Sequence, residues 1–468
     1  MTFYFYDLET TGLDPIQDRI LQFAGQRLDA NLEPISDLEE FYVKVSEDIL
    51  PNPQAITTHK ILPQQANLEG LTEYQFLNWL EENVYLKETV FAGYNTIFFD
   101  NPFMKWLHWR NFTPTSPILE ASANFDLYPL LRLAADIRPQ GLQWSRDSET
   151  QKLNLTLGVL SEANNIKHSH QHTAGSDIEA SINLARLIRQ KQPKLFEHFL
   201  NLRQADFVKK IINQDKQPFL YSTYTNLGFN KTTSTSLSAV LCEHPIHLDS
   251  YIVYDLRYDL KPWQKLSAYD LVLAIKKSRL RKAPPTPFSV LNINQLPAVA
   301  PLTVLDKDSA QRLKLDKSVI FANFRALKED QLAKTIAETY TQLNQDIPQS
   351  DNVEVTLAES DLSQSDINKC QEVRQATADQ LTNLEISFDD NRFRQLLFLY
   401  QARNFPKTLQ QNQLLAWEKY KAQSLKKNLK HFKNQLQKSL RQYANDSEKI
   451  NLLEELQFYI DSILPQSS

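Results

Sequence analysis

The fold prediction starts from the stretch Phe3-Tyr4-Phe5-Tyr6-Asp7-Leu8-Glu9-Thr10-Thr11-Gly12. Its leading run of aromatic residues is typical of a β-strand. Side chains two positions apart in a strand point to the same face, so we expect Asp7 and Glu9 to lie side by side where the strand ends. Gly12 then allows the chain to turn sharply. The stretch therefore predicts a strand that presents two carboxylates at its end.

Such a carboxylate pair has two interpretations. Two carboxylates at the end of a buried strand repel each other and are costly to desolvate unless a cation lies between them. Oxygen ligands at this density suit a hard divalent ion, Mg²⁺ or Mn²⁺. A strand that runs out into a solvated acidic turn would show the same Asp-x-Glu pattern. The aromatic lead-in, the Thr-Thr-Gly exit and further acidic residues downstream favour the metal site.

Length and composition limit the class of protein. A chain of 468 residues, 42% of them hydrophobic, predicts two to four globular domains. No apolar stretch is long enough to span a membrane, and the first residues lack a signal-peptide pattern. Two distant cysteines, Cys242 and Cys370, predict no disulfide framework and fit a reducing, cytoplasmic setting. With a net charge of −5, binding to nucleic acid would need local basic patches.

A first domain is predicted over residues 1–190. Residues 20–28 and 40–45 have the pattern of strands that pair antiparallel with the first one, residues 71–83 that of a helix, and residues 89–95 that of a buried strand.

A third carboxylate follows in this domain. Asp100 is isolated among apolar and aromatic residues, just before a helix predicted from about Pro102. It could cap that helix or join Asp7 and Glu9 in an acidic site.

Asp126 is a tempting further ligand, but we interpret it as the N-cap of the helix that carries Leu130 and Leu131. Positive charge is added near this rim by three arginines. They either contact phosphates or are solvated surface residues, and the sequence favours neither: Arg132, Arg138 and Arg146.

Three alternating histidines, His168, His170 and His172, precede the next predicted helix. In an extended chain they would share one face, which leaves a zinc site open as one interpretation. Asp177 lies in the first turn of that helix and offers a fourth carboxylate. The residues alone do not decide which histidine would serve such a site.

The later parts of the chain change character. Short strands predicted in residues 218–224, 233–241, 250–256 and 288–301 suit a small β-barrel with helical insertions. The basic run 276–282 contacts phosphates or is a solvated face. A linker is predicted at residues 346–351, and the chain from Ser365 onward is predicted to be helical.

The segment Arg403-Asn404-Phe405-Pro406 ends one of these helices. It combines a guanidinium fork that suits phosphate with a ring on which a base can stack. It also fits a helix end whose phenylalanine lies in the core, and from the pattern alone we favour this second interpretation.

Three of these motifs carry a resemblance. Asp7-Leu8-Glu9-Thr10-Thr11-Gly12 resembles the first motif of the DEDD 3′→5′ exonucleases, and Asp100 after Tyr94-Asn95 resembles the second. His172 lies five residues before Asp177, which resembles the third motif of the histidine-bearing (DEDDh) subclass. The tyrosine-bearing subclass would have Tyr where Thr173 stands. On this resemblance His172 is preferred among the three histidines.

Further segments, spread in order over essentially the whole chain, resemble the bacterial exodeoxyribonuclease I family. They include Ile137-Arg138-Pro139-Gln140-Gly141, Asn292-Ile293-Asn294-Gln295-Leu296-Pro297 and Tyr400-Gln401-Ala402-Arg403-Asn404-Phe405-Pro406. The resemblance implies an α/β ribonuclease H-like DEDDh exonuclease domain (1–190), an SH3-like β-barrel domain (194–347) and an all-α C-terminal domain (350–468). It implies a processive 3′→5′ exonuclease that degrades single-stranded DNA to nucleoside 5′-monophosphates in DNA repair and recombination.

The same resemblance implies roles at the site. Asp7, Glu9 and Asp177 would hold the ion that activates water, and Asp7 with Asp100 the ion that stabilises the leaving 3′ oxygen. His172, with an unperturbed pKa of about 6.5, would be the general base. Two Mg²⁺ ions are expected, with Mn²⁺ able to substitute. The expected substrate contacts are Glu9, Lys105, Arg132, Arg138, Arg403 and Phe405.

The resemblance also implies partners. Besides single-stranded DNA, the acidic tail of the single-stranded-DNA-binding protein is expected to dock on basic residues, of which Arg138 and Lys231 match family positions. Thr156 stands where family members can carry an arginine, so one substrate contact is expected to be missing. A monomer without membrane contact is expected.

Two other functions are weighed against this one. An RNA-trimming DEDDh exonuclease would need neither of the two later domains. A DNA-binding clamp with a dead nuclease fold would be expected to lose at least one of the catalytic residues, whereas all four carboxylates and the histidine are present.

Overall fold

The aromatic stretch forms the central strand of a five-stranded sheet with the order β3-β2-β1-β4-β5. Strand β1 (Thr2–Thr10) pairs antiparallel with β2 (Ile20–Leu28), which pairs antiparallel with β3 (Glu39–Tyr42). On its other side β1 pairs parallel with β4 (Thr89–Gly93), and β4 with β5 (Asn124–Asp126). The carboxyl ends of β1, β4 and β5 therefore meet at one edge of the sheet.

The structure is a computed structural model. It describes residues 1–168, 173–213, 217–223, 233–328, 331–345, 350–358, 360–382 and 384–464.

Helices cover both faces of this first sheet and continue beyond it. In chain order they are α1 (Pro53–His59), α2 (Pro63–Glu69), α3 (Glu73–Asn83), α4 (Asp100–Arg110), α5 (Leu127–Ile137), α6 (Leu157–Ala163), α7 (Ala174–Lys191), α8 (Pro193–Asn201) and α9 (Ala205–Ile212).

The alternation of side chains along β1 separates two cores. Phe3 and Phe5 pack in one core with Ile178 of α7, whereas Tyr4 and Tyr6 pack in another core with residues of α3 and α4. Asp7 and Glu9 continue the Phe3–Phe5 face, because side chains alternate along a strand. The two carboxylates therefore lie on the side of the sheet that α7 covers.

A second sheet follows, with the order β10-β6-β7-β8-β9 and antiparallel pairing throughout. Its strands are β6 (Phe219–Ser222), β7 (Thr235–Glu243), β8 (Ser250–Asp255), β9 (Phe288–Asn292) and β10 (Ala298–Pro301). The helices of this region are α10 (Lys261–Gln264), α11 (Ala268–Arg279), α12 (Lys307–Arg312), α13 (Lys317–Lys328) and α14 (Leu332–Gln345).

The last part of the chain is helical wherever it has regular structure in the described residues. Its α-helices are α15 (Val353–Ala358), α16 (Gln364–Gln375), α17 (Ala378–Thr382), α18 (Arg392–Asn404), α19 (Gln411–Gln442) and α20 (Ser447–Ile463). Two hydrophobic cores join these helices to the first domain: Phe112 packs among residues of α18, and Leu21 and Ile56 pack with Leu425 and Phe432 of α19.

Two other expectations can be compared with the structure. Cys242 and Cys370 are both free thiols. In the described part of the chain, no helix combines the length and the apolar character that crossing a membrane would need.

Candidate active site

Three carboxylates from two elements converge at the end of β1. Asp7, Glu9 and Asp177 each offer an oxygen atom, and these atoms lie within 4.8 Å of one another. Asp7 and Glu9 meet because they are two positions apart in a strand. Asp177 joins them from the first turn of α7, the helix packed across that face.

Asp100 lies against the same strand. It is the first residue of α4, its exposed fraction is 2%, and its Oδ1 accepts a hydrogen bond of 3.1 Å from the backbone N–H of Leu8. Leu8 lies between Asp7 and Glu9 in β1, so this bond attaches the fourth carboxylate to the motif strand. We call Asp7, Glu9, Asp100 and Asp177 the carboxylate cluster.

The cluster is electrostatically unfavourable when all its members are ionised. Burial, followed by the charges of Asp100, Asp177 and Glu9, raises the pKa of Asp7 well above its ordinary value. Burial and the charges of Asp177 and Asp100 do the same to the pKa of Glu9. Burial and the nearby Asp126 raise the pKa of Asp100. Acidic groups that repel one another in this way are suited to bind a cation.

A divalent metal fits these donors. All are carboxylate oxygens, the ligands that hard ions such as Mg²⁺ and Mn²⁺ prefer. The close approach of three of them would be repulsive without positive charge, and burial together with that repulsion raises the pKa values of Asp7 and Glu9.

The turn after Glu9 is held in place by backbone and side-chain hydrogen bonds. Asp18 accepts hydrogen bonds from the Thr11 hydroxyl at 3.0 Å and from the Asp14 N–H at 2.9 Å. A Cβ atom on Gly12 would lie 2.4 Å from Oδ2 of Asp18. Gly12 does not have a positive φ, so the backbone conformation is not what calls for glycine here. Glycine fits because a side chain would collide with the Asp18 carboxylate.

The predicted general base, His172, lies outside the described residues, as does His170, so its role stays a prediction. His168 is described: its Nε2 forms a hydrogen bond with Oδ1 of Asp177, and its side chain is 6% exposed. From the sequence, His168 is one of three candidate zinc ligands and has no role in the carboxylate site. The only sequence signal for it was its place in the alternating series.

Asp126 is the N-cap of α5, as expected from the sequence. Its carboxylate accepts hydrogen bonds from the backbone N–H groups of Tyr128, Asn95 and Ile97 at 2.8, 2.8 and 3.1 Å. Burial raises the pKa of Asp126 to about 6, although these three donors oppose the shift. Asp126 therefore fixes the loop that leads into α4, the helix that begins with Asp100.

Two of the arginines predicted to contact phosphate lie buried in the structure with partners inside the protein. Arg132 is buried, and its guanidinium donates to the hydroxyl and the carbonyl oxygen of Ser222 in β6 at 3.1 and 2.8 Å. Arg403 pairs with Asp48 at 2.8 Å and with Glu354 at 2.7 Å, with 8% of its side chain exposed. Both guanidinium groups hold elements together inside the protein instead of facing solvent.

Phe405 also has a structural placement. It packs in a core with Tyr74 and Tyr400, with ring centroids 4.9 and 5.6 Å away. This placement, partly buried against the core, is the one that the helix-end interpretation predicted, and the role of Phe405 as a substrate contact stays a prediction.

The other predicted contact residues are nearer to solvent. Lys105 is exposed on α4, whereas Arg138 forms an ion pair with Asp306 at 3.3 Å and donates to the Val304 carbonyl oxygen at 2.6 Å. Arg146 is exposed and donates to the Gln151 carbonyl oxygen at 3.0 Å. Thr156 is exposed at the N-cap of α6, and Lys231 lies outside the described residues.

A second buried cluster of charges, missed by the sequence analysis, joins the first domain to the C-terminal helices. Arg110 holds Glu73 through two hydrogen bonds of 2.6 and 3.2 Å, and Arg19 lies 4.0 Å from the same carboxylate. Its members come from separate segments with no shared motif. We call the following six residues the charge junction: Arg19, Asp48, Glu73, Arg110, Glu354 and Arg403.

Comparison with known protein families gives three successive matches. A model described as exonuclease matches residues 4–185, one described as exonuclease I SH3-like domain matches residues 203–342, and one described as exonuclease I C-terminal domain matches residues 351–463. Together with the two sheets and the C-terminal helices, these matches confirm the predicted fold class: a ribonuclease H-like exonuclease domain, an SH3-like domain and a helical domain.

Individual proteins match over nearly the whole chain. Exodeoxyribonuclease I of Haemophilus influenzae is 32% identical over 465 residues, which cover 98% of each chain. The crystal structure of E. coli exonuclease I in complex with a dA16 oligonucleotide has a TM-score of 0.91 and 29% identity, covering 99% of this chain and 100% of that one. The zinc-bound form of an E. coli exonuclease I complex with single-stranded DNA has a TM-score of 0.89 and 29% identity, covering 99% of each chain.

Proposed function

The chain belongs to the exodeoxyribonuclease I family and is a nuclease, and from that premise we propose that it degrades single-stranded DNA processively from the 3′ end to nucleoside 5′-monophosphates. The observation that carries the proposal is the carboxylate cluster. Three oxygens within 4.8 Å, with Asp100 attached to the same strand, are the donor set that metal-dependent phosphodiester hydrolysis needs. Two of the E. coli structures that resemble this chain are complexes, one with a dA16 oligonucleotide and one with single-stranded DNA.

We propose a role for each residue of the site. Asp7, Glu9 and Asp177 would hold one Mg²⁺, and Asp7 with Asp100 a second, with Mn²⁺ able to replace either. When bound, two such ions neutralise charge on the scissile phosphate and make water a stronger nucleophile near neutral pH. His172 would take the proton of the attacking water, a role proposed because it lies five residues before Asp177 in the sequence, as in the third motif of the histidine-bearing DEDD exonucleases.

The substrate form follows from the same proposal. The 3′ end of the substrate must reach the carboxylate cluster at the end of β1. A duplex end would first have to be melted to do so. A single strand is therefore the expected substrate. We propose that the domain limits 1–190, 194–347 and 350–468 separate the cutting domain from two domains that hold the strand.

The cellular role is proposed on the family resemblance. We place the enzyme in DNA repair and recombination, as a cytoplasmic monomer that works beside the single-stranded-DNA-binding protein. If the acidic tail of that protein docks at Arg138, it must compete with the ion pair to Asp306.

The test is a cleavage assay on a 5′-labelled single-stranded DNA oligomer with Mg²⁺, with matched duplex and RNA substrates. Wild type is compared with Asp7→Ala. We expect wild type to shorten the labelled strand stepwise from its 3′ end and to release unlabelled mononucleotides, from single-stranded DNA only. We expect no shortening by the variant.

Other outcomes change the conclusion. Preferred cleavage of the RNA oligomer would make the protein an RNA-trimming exonuclease. Binding of DNA without any cleavage would make it a clamp with an inactive nuclease fold. Asp37→Asn, which removes an exposed carboxylate elsewhere in the first domain, is the control for a general effect of charge.

A further inference from the structure

The hydrogen bond between His168 and Asp177 is not explained by the proposed roles. Nε2 of His168 bonds to Oδ1 of Asp177, and Asp177 offers an oxygen to the same cluster as Asp7 and Glu9. We propose that His168 is a positioning residue that holds the Asp177 carboxylate toward the two carboxylates of β1 before a cation binds. This inference rests on the proposed function, since it concerns the same metal site.

Asp177 needs such a restraint for an electrostatic reason. Its charge contributes to the raised pKa values of both Asp7 and Glu9, so these ionised groups repel it. The side chain lies in the first turn of α7 and is 16% exposed, so a change of rotamer could relieve the repulsion. An N–H group that donates to Oδ1 opposes this movement.

The loop that carries His168 is itself fixed. After α6 ends, the Asn165 N–H donates to the Glu162 carbonyl oxygen at 3.1 Å, and the Ile166 N–H donates to the Ser161 carbonyl oxygen at 2.9 Å. Asn165 adopts a positive φ of 55° at this turn. Because the chain is held two residues before His168, the imidazole can fix the carboxylate rather than follow it.

The two ring nitrogens of His168 suit a donor and not a general base. An ionised carboxylate only accepts hydrogen bonds, so Nε2 carries the hydrogen. Nδ1 is buried and, among the described residues, has no hydrogen-bond partner. With the hydrogen on Nε2, Nδ1 carries only a lone pair, so no buried N–H group is left without an acceptor. Because Nδ1 is buried, water does not reach this lone pair. The buried Nδ1 therefore suits His168 to a positioning role, and His172 stays the proposed base.

The test measures metal binding without DNA. Mn²⁺ is titrated into wild type, His168→Gln and His168→Leu, and free Mn²⁺ is followed by electron paramagnetic resonance. The glutamine amide nitrogen can take the place of Nε2, so His168→Gln is expected to bind Mn²⁺ nearly as wild type does. His168→Leu is expected to bind it about 10–100-fold more weakly, as for other residues that orient a metal ligand.

Turnover on single-stranded DNA separates positioning from catalysis. At saturating Mn²⁺, His168→Leu is expected to recover turnover close to that of wild type, whereas His172→Ala keeps its Mn²⁺ affinity and loses turnover. Circular dichroism checks folding, and His168→Asn, whose amide is too short to reach Oδ1, replaces the leucine variant if that variant does not fold.

Three results would overturn the proposal: unchanged Mn²⁺ affinity in His168→Leu, equally weak binding in the glutamine variant, or turnover lost at saturating Mn²⁺. The last of these, with unchanged affinity, would make His168 the base. If wild type itself degrades no DNA, the proposed function fails, but the Mn²⁺ titration still decides whether His168 orients Asp177.

Discussion

The carboxylate cluster and the charge junction are both groups of ionisable side chains, yet they differ in their balance of charge. Asp7, Glu9 and Asp177 of the cluster are half-buried, whereas Asp100 and most of the junction are buried. The cluster brings together four acids. The junction brings together three acids and three arginines, joined by contacts such as Arg403 to Asp48 and Arg110 to Glu73.

This difference appears in the pKa values. In the cluster, burial and like charges act in the same direction, and the pKa values of Asp7, Glu9 and Asp100 rise. In the junction, burial alone would raise the pKa of Asp48, but Arg403 and Arg19 outweigh it and hold the pKa below its ordinary value. Burial would likewise raise the pKa values of Glu73 and Glu354, but nearby arginines lower both. The largest lowering contribution comes from Arg110 at Glu73 and from Arg403 at Glu354.

The comparison teaches that burial of acids does not by itself identify a metal site. A balanced group is complete within the protein, whereas an unbalanced one needs a cation from outside. The two groups are linked through the turn after Glu9: the Thr11 N–H donates to the Arg19 carbonyl oxygen at 2.8 Å, and the Arg19 N–H donates to the Thr11 hydroxyl at 2.9 Å. The charge junction therefore contacts and stabilises the turn after β1, next to the carboxylate cluster.

The largest effect is expected from Glu9→Gln. Loss of one ligand should reduce turnover on single-stranded DNA by roughly 10³-fold or more, because metal stabilisation of the transition state is worth several kcal/mol. In the same variant the metal-free protein should become more stable, since a repelling charge is gone. Turnover and the thermal midpoint in a chelator are the measurements.

The matched variant Glu73→Gln removes a carboxylate from the junction. It should do the reverse, lowering stability while leaving turnover per folded molecule within a few-fold of wild type at low temperature. A large loss of turnover with unchanged stability would abolish the distinction between the two groups.

Arg403→Met should have the second largest effect. It leaves Asp48 and Glu354 buried without their main partner, which costs about 3–5 kcal/mol in comparable cases. Denaturant unfolding measures this loss. If the variant is as stable as wild type but binds DNA more weakly, Arg403 is a substrate contact, as the family resemblance implies.

A smaller effect separates the groups by pH. Carboxyls of the unfolded chain titrate near pH 4, and those of Asp7, Glu9 and Asp100 titrate higher in the fold. Above pH 4 the folded metal-free protein therefore holds more protons than the unfolded chain, and its free energy of unfolding falls as the pH rises, by up to about 1.4 kcal/mol per pH unit for each proton. The junction acids, whose pKa values are lowered, contribute stability that is lost only on acidification below about pH 4.

Unfolding in chelator between pH 5 and pH 8 measures this slope. Mg²⁺ at 100 times its dissociation constant should add about 2.7 kcal/mol. Glu9→Gln should flatten the slope in chelator, and an identical slope in that variant would show that the cluster does not titrate as described.

The smallest effect is expected from Lys105→Met. Lys105 is exposed on α4, the helix that begins with Asp100. Removal of one phosphate contact should weaken DNA binding a few-fold and reduce the slope of log affinity against log salt by about 1. Lys87→Met is the control, because Lys87 is exposed before β4, at the opposite edge of the sheet. Equal slopes in the two variants would remove Lys105 from the substrate contacts.

The sequence by itself determined the parts of the site that depend on local patterns. The β1 strand, its carboxylate pair, Asp177 in the first turn of α7 and the capping role of Asp126 all follow from spacing along one element. Strand and helix periods fix which neighbouring side chains share a face, so these placements need no knowledge of distant residues.

Only the tertiary structure decided what the arginines do. Arg132 and Arg403 both have the side chain that suits phosphate. In the structure Arg132 donates to Ser222, and Arg403 pairs with Asp48 and Glu354, which all belong to segments distant in the chain. An arginine binds whichever acceptors face it, and its partners across a domain boundary leave no pattern near it in the sequence. The contact of His168 with Asp177 was decided in the same way, by the turn after α6 that brings the ring to the first turn of α7.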